Sequence, residues 1–102
     1  MILLVNELTQ SNPEFQAMAL QGCPQTLTIG SPTSGADGDI VRIPLPGGLM
    51  TCFSGIGVFY PDGTPTQAVG VRLDVEVNDT VESLQAGRDL VLEKALELAT
   101  GD

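Results

Sequence analysis

A serine hydroxyl attacks a carbonyl only where a base takes its proton and donors steady the oxyanion that forms. The second condition is within reach of Ser11, in the stretch "VNELTQSNPEF" from Val5 to Phe15. Ser11 stands between "MILLV", an apolar run of strand length, and Phe15, Met18 and Ala19, which recur on one helical face. At such a joint the unpaired amides and the positive end of the helix dipole would stabilise negative charge. The same residues spell a helix start, with Ser11 as N-cap, Pro13 in the first turn and Glu14 closing a capping box. Cap and nucleophile are both open readings of Ser11, and they are compatible.

The first condition is harder to meet. The chain has no histidine, which excludes a Ser-His-Asp triad, a Cys-His pair or a histidine metal site built from this chain alone. Lys94 is the only lysine and is a candidate base, but its place among Glu93 and Glu97 suits an ion pair. Cys23 and Cys52 lack CxxC spacing and read as small buried hydrophobes of a reduced protein, with a disulfide between them left open. Asp37, Asp39 and Asp62 include a "DGD" without the later ligands of a calcium loop, so solvated turns are expected. "SPTSGADG" has exposed amides in prospect but no lysine and no phosphate-loop spacing, and reads as a surface loop. No metal and no cofactor are expected.

These side chains must be positioned by one small core. The chain has 102 residues, enough for a single domain (1–102). Acidic residues number 13 against 4 basic ones, for a net charge of −9, and the cations Arg42, Arg72, Arg88 and Lys94 are scattered. Nucleic acid and anionic membrane surfaces are therefore excluded as partners. "MILLV" is too short for a signal-peptide core, and no apolar run approaches the roughly 20 residues of a spanning helix. The chain as it stands is expected to be soluble and cytoplasmic, and a longer parent could be exported.

The element order follows from pattern. After the first strand and a Pro13 to Gln21 helix, "TLTIG" reads as a short strand. "IVRIPL" and "LMTCFS" flank Pro46-Gly47-Gly48 as a hairpin, and "GVFY" and "TQAVGV" flank Pro61 to Pro65 as a second one. From Val69 to Val77 the odd positions are apolar, which predicts an extended segment with one wet face. Thr80 to Ala99 is helical in pattern, opened by a box of Asp79 and Glu82 and interrupted at Gly87. Asp89 caps its second piece, which would bury Val91, Leu92, Ala95, Leu98 and Ala99. The fold class is α/β (α+β), with short strands, hairpins and two to three helices.

Read end to end, the sequence resembles the C-terminal processing (tail-specific) serine peptidases, in the last part of their catalytic domain. The words that carry the likeness are "VNELTQSNPEFQAMAL", "IGSPTSGADGD", "RIPLPGGLMTCFSGIGVFYPDGTPTQAVGV", "DVEV" and "AGRDLVLEKALEL", in family order from about Leu3 to Leu98. The resemblance implies a layered β-β-α core of the ClpP and crotonase type, and endoproteolysis near protein C-termini. It implies that Ser11 holds the nucleophile position, that the Asn12 backbone N–H is an oxyanion donor, and that Glu14 is the usual helix-opening acid.

The departures are specific. One branch of the family places a lysine base where this chain has Ala36. The tricorn-core-like branch uses a histidine that precedes the region covered here, with an orienting glutamate at about Gln67. Leu73 stands where the family has a proline. The reading is a catalytic-core segment that carries the nucleophile but is inactive alone, with peptides or protein C-termini as substrates of any active form. The missing parts would come from an upstream polypeptide or from a homo-oligomer. The alternative is a non-enzymatic binding or assembly domain that pairs through an exposed strand edge. A third reading recruits Lys94 or an acid across an oligomer interface for acyl transfer or hydrolysis.

Overall fold

The computed structural model describes residues 1–101. The chain runs β1 (Ile2–Val5), α1 (Asn12–Gln21), β2 (Leu27–Gly30), β3 (Asp39–Leu45), β4 (Leu49–Ile56), β5 (Val75–Glu76), α2 (Val81–Gln85) and α3 (Leu90–Thr100). This is the α/β class that the pattern of short strands and helices predicts. The strands β1, β2 and β5 form a parallel sheet in the order β1-β2-β5. Parallel neighbours cannot be joined by a tight turn, and α1 supplies the crossover between β1 and β2.

Alternation decides what that sheet covers. Leu3 and Val5 of β1 pack with Ala17 and Met18 of α1 and with Val71 and Leu73, and this is the hydrophobic core. Leu4 and its register partner Ile29 point the other way, and α3 lies against β1 and β2. The covered face of α3 is the buried Ala95 with the half-buried Leu90, Val91 and Lys94, a correction to the expected stripe, since Leu92, Leu98 and Ala99 are exposed. A sheet three strands wide covers only a narrow strip of a helix.

The hairpin of β3 and β4 is a separate antiparallel pair, closed by Pro46-Gly47-Gly48 and irregular between Asp39 and Ile40. The second expected hairpin is reduced to one bridge between Phe59 and Pro65. Between Val69 and Val77 only Val75–Glu76 is a strand. A turn in which the Val69 and Gly70 amides donate to the Thr66 carbonyl breaks the segment, and Ala68 has φ 65°. The alternation there reflects burial of Val71 and Leu73 against α1 rather than a continuous ladder.

The tail is two helices separated at Gly87, whose φ is 66°, and Asp89 caps α3 by accepting from the Leu92 N–H at 2.9 Å. The box that opens α2 is one residue later than its pattern suggests. Thr80 accepts from the Ser83 N–H at 3.1 Å, and the Ser83 hydroxyl accepts from the Thr80 N–H at 2.9 Å. Asp79 instead accepts from the Leu90 N–H at 3.3 Å and ties the two helix starts together. Cys23 and Cys52 are unpaired and both are exposed, which corrects the expectation of burial. One lies in the turn after α1 and the other on the hairpin, where no layer covers them. Among the described residues no helix is long and apolar enough to cross a membrane.

Candidate functional site

The backbone at Ser11 is the first feature of the site. Its φ is 58° and ψ is −119°, a conformation that side-chain-bearing residues adopt at a cost of about 1–3 kcal/mol. Ser11 follows β1 by way of residues 6–10, where the Thr9 N–H closes a turn on the Asn6 carbonyl at 2.9 Å, and it stands immediately before α1. The backbone at Ser11 is held from both sides: the Ser11 carbonyl accepts from the Glu14 and Phe15 amides at 2.9 and 3.1 Å, and the Ser11 N–H donates to Glu14 Oε2 at 2.9 Å. The expected capping box is thus closed on its Glu14 side. The Ser11 hydroxyl faces the Glu14 N–H without completing a capping hydrogen bond, so the side chain is exposed and uncommitted. The Asn12 N–H donates to no group among the described residues and lies at the positive end of α1.

Glu14 is fully buried. Its Oε1 accepts from the Thr33 hydroxyl at 2.7 Å and the Gly35 N–H at 2.8 Å, while Oε2 accepts from the Ser11 and Ala36 amides at 2.9 and 3.1 Å. The Ser34 hydroxyl completes the set at 3.5 Å. Because one oxygen takes both the Ser11 and the Ala36 amides, the loop carrying Ala36 lies beside the turn carrying Ser11.

A third segment joins them. The Thr33 hydroxyl accepts from the Val71 N–H at 3.0 Å while donating to Glu14, and the Ala68 N–H donates to the Gly35 carbonyl at 2.6 Å. Gly70, at φ 88°, fits because a Cβ there would come within 2.6 Å of the Thr33 hydroxyl. Gln67 therefore lies on the segment packed against the Ala36 loop, with its side chain exposed. The fold brings Ser11, Asn12, Ala36 and Gln67 into one neighbourhood.

Asp37, expected in a solvated turn, is buried instead, which corrects that reading. It is 3% exposed, yet its Oδ2 has no hydrogen-bond partner. Burial, and then the charge of Glu14, push its carboxyl up from the ordinary range. A short loop rich in Gly, Ser and Asp gives no periodicity from which its burial could be read.

The other candidates lie elsewhere. Lys94 on α3 pairs with Glu97 at 3.0 Å, and Arg88 with Glu93 at 3.0 Å. Asp62 pairs with Arg72. Hydrogen bonds from the Thr64 backbone and hydroxyl, and from Arg72, bring Asp62 down to about 2. Tyr60, beneath Arg72 at 4.1 Å from ring centroid to guanidinium, donates to Gln21 Oε1 at 2.6 Å and accepts from the Arg72 N–H at 2.9 Å. Burial raises its phenol, against the Arg72 amide and charge. A cavity of about 720 Å³ opens at the carboxyl ends of β1 and β2, lined by Val5, Asn6, Ser31 and Asn78 among others.

The sequence pattern of peptidase family S41 matches residues 1–77. Comparison with curated proteins gives no match. Among solved structures, the chain is similar to a candidate peptidase from Parabacteroides merdae, with a TM-score of 0.84 and 29% identity over 95% of this chain and 30% of that one. It is also similar in fold to mature CPAF in complex with lactacystin (TM-score 0.78, 21% identity, 99% of this chain and 21% of that one). A lipoprotein from Streptococcus agalactiae shares the fold as well (TM-score 0.63, 17% identity, 88% and 32%). The chain spans about a third or less of the length of each. With three quarters of its sequence matched by the family pattern and its fold shared with peptidases, this chain belongs to peptidase family S41.

Proposed function

We propose that the chain is the part of a serine peptidase catalytic domain that presents the nucleophile, Ser11, and that it does not cleave peptides by itself. The observation that carries this reading is the strained turn at Ser11, φ 58° and ψ −119°, at the start of α1. A strained backbone with an exposed hydroxyl at the start of a helix is how several serine hydrolases present their nucleophile, and here it is reached through the turn that Thr9 closes on Asn6. In the reaction, Ser11 Oγ would bond to the scissile carbonyl carbon and its proton would pass to a base. The negative oxygen would be steadied by the Asn12 N–H, with a second donor from outside this chain. The proton would then go to the leaving amine, and water would release the acyl group.

The missing element is the base. Ala36 and Gln67 cannot act as one, and no histidine exists in the chain. The base and the substrate groove for protein C-termini therefore come from further polypeptide, upstream or from another copy. Installing a base is the test. Ala36→Lys would make Ser11 react with a fluorophosphonate probe, read by intact mass, at a rate that rises with pH as the lysine becomes neutral. Wild type and Ser11→Ala remain unlabelled beside a labelled control peptidase. Labelling of wild type confined to Ser11 would overturn the claim of inactivity, and an inert Ala36→Lys chain would overturn the nucleophile assignment.

A binding or assembly domain is the second reading, favoured by the hairpin. Val41, Ile43, Leu45, Leu49 and Phe53 share one face of β3 and β4, and all but Val41 are exposed. A two-stranded hairpin with such a face is only marginally stable in water unless something covers it. Light scattering across a dilution series decides it: a monomer at every concentration would count against self-assembly.

A further inference from the structure

We infer that Glu14 is a positioning residue for Ser11, the hub that fixes the nucleophile turn, the Ala36 loop and the Gln67 segment as one rigid unit. The inference rests on the reading of Ser11 as nucleophile. Its basis is that every hydrogen bond the Glu14 side chain makes is one it accepts. Thr33, Ser34, Gly35, Ala36 and Ser11 all donate to it, from segments 3 to 22 residues away in sequence, and no solvent reaches it.

A helix-capping acid needs only the local bond to the Ser11 N–H. Four further donors from a loop 19 to 22 residues away are not needed to start a helix, and they select one placement of Ala36 relative to Ser11. The Thr33 hydroxyl carries this order on to Val71. Glu14 thus holds the strained Ser11 backbone and the place where a base must stand through the same pair of oxygens.

A consequence separates this role from ordinary packing. Glutamine has the same shape as glutamate, but its NH₂ would meet amide or hydroxyl donors whichever way it turned. Glu14→Gln is therefore expected to act like a deletion. Amide hydrogen exchange at Ser11, Gly35 and Ala36 should speed by roughly ten- to hundredfold, with exchange at Ile29 in β2 unchanged. In the Ala36→Lys chain, Glu14→Gln should cut fluorophosphonate labelling of Ser11 by a similar factor at a temperature well below melting. Thr33→Val, which removes the relay hydroxyl, should give the same pattern more weakly, and Thr33→Ser should restore it. These two variants keep the test decisive if Glu14→Gln does not fold.

Unchanged exchange at the three amides, or labelling insensitive to both Glu14→Gln and Thr33→Val, would overturn the positioning role. Faster exchange in a chain whose Ala36→Lys form never labels would uphold Glu14 as the hub and overturn Ser11 as nucleophile.

Discussion

The site around Ser11 and the β3–β4 hairpin invert the usual distribution of polarity. Around Ser11 the buried side chains are Glu14, Thr33 and Asp37, joined by Thr66 on the segment that leads to Ala68. On the hairpin, Ile40, Leu49, Met50, Phe53 and Ile56 are each more than half exposed. Buried polar groups cost stability unless they are satisfied, as Glu14 and Thr33 are and Asp37 Oδ2 is not, and once satisfied they specify one arrangement. Exposed apolar groups contribute little until something covers them. One region is ordered from within by hydrogen bonds, and the other is an apolar surface that gains stabilisation only when something covers it.

Glycines break this comparison open most sharply. At Gly30, in β2, a Cβ would lie 1.8 Å from the Val5 carbonyl oxygen, so Gly30→Ala forces β1 and β2 apart. A loss of more than about 3 kcal/mol is expected in urea unfolding. At Gly47, in the hairpin turn, φ is 84° but nothing lies within 4 Å of the added carbon. Gly47→Ala is expected to cost only the local strain, about 1 kcal/mol. Equal losses at the two positions would mean that the hairpin is packed as tightly as the sheet.

Aromatic residues give the next contrast. Tyr60 is buried and its hydroxyl serves both Gln21 and the Arg72 amide. Tyr60→Phe leaves two polar partners unsatisfied and should cost about 1–2 kcal/mol. Phe53 is 53% exposed on the hairpin, and Phe53→Ser should change monomer stability by no more than about 0.5 kcal/mol. If the hairpin mediates assembly, Phe53→Ser should instead shift the mass seen by light scattering towards monomer. A large loss of stability in a dilute Phe53→Ser monomer would show that this face is internal to the fold.

What could be read from the sequence divides along the same line. β1, α1, β2 and the β3–β4 hairpin follow from runs, periods and turn residues that are local, and they lie where those signals put them. Ser11 and Glu14 were visible as a helix start because their relation spans three residues. The rest of the hub was not. The bonds from Thr33 to Glu14 and from Val71 to Thr33 span 19 and 38 residues and leave no repeat in the chain. The alternation was real as burial only from Val71 to Val77, Val69 being exposed, and was misleading as a strand, because Thr66 and Ala68 turn the backbone just before it. Asp37 looked like a solvated turn residue and is buried, since Gly35 and Gly38 fold the loop inward at positive φ.

Asp37 supplies the smallest expected effect and the one most diagnostic of the polar interior. Its carboxyl is pushed up by burial first and by the charge of Glu14 second. A raised folded value means that the folded state binds the proton more tightly than the unfolded chain, so stability falls as pH rises through that window. Above it the full penalty stands, and it is relieved on acidification towards the ordinary carboxylate range near 3.9. Asp62 and Glu93 run the other way: their hydrogen bonds lower them, and what they contribute is lost only as pH falls through their lowered values, about 2 for Asp62. Asp37→Asn should therefore melt higher than wild type at pH 7, with the gap closing as pH approaches 4. Melting curves at several pH values would show it. A gap that stays constant would assign the effect to shape rather than charge, and would mean that the Ser11 neighbourhood tolerates two adjacent buried carboxylates without strain. A closing gap would show that the penalty lies in the charge of the Asp37 carboxylate, buried beside Glu14, and not in its shape.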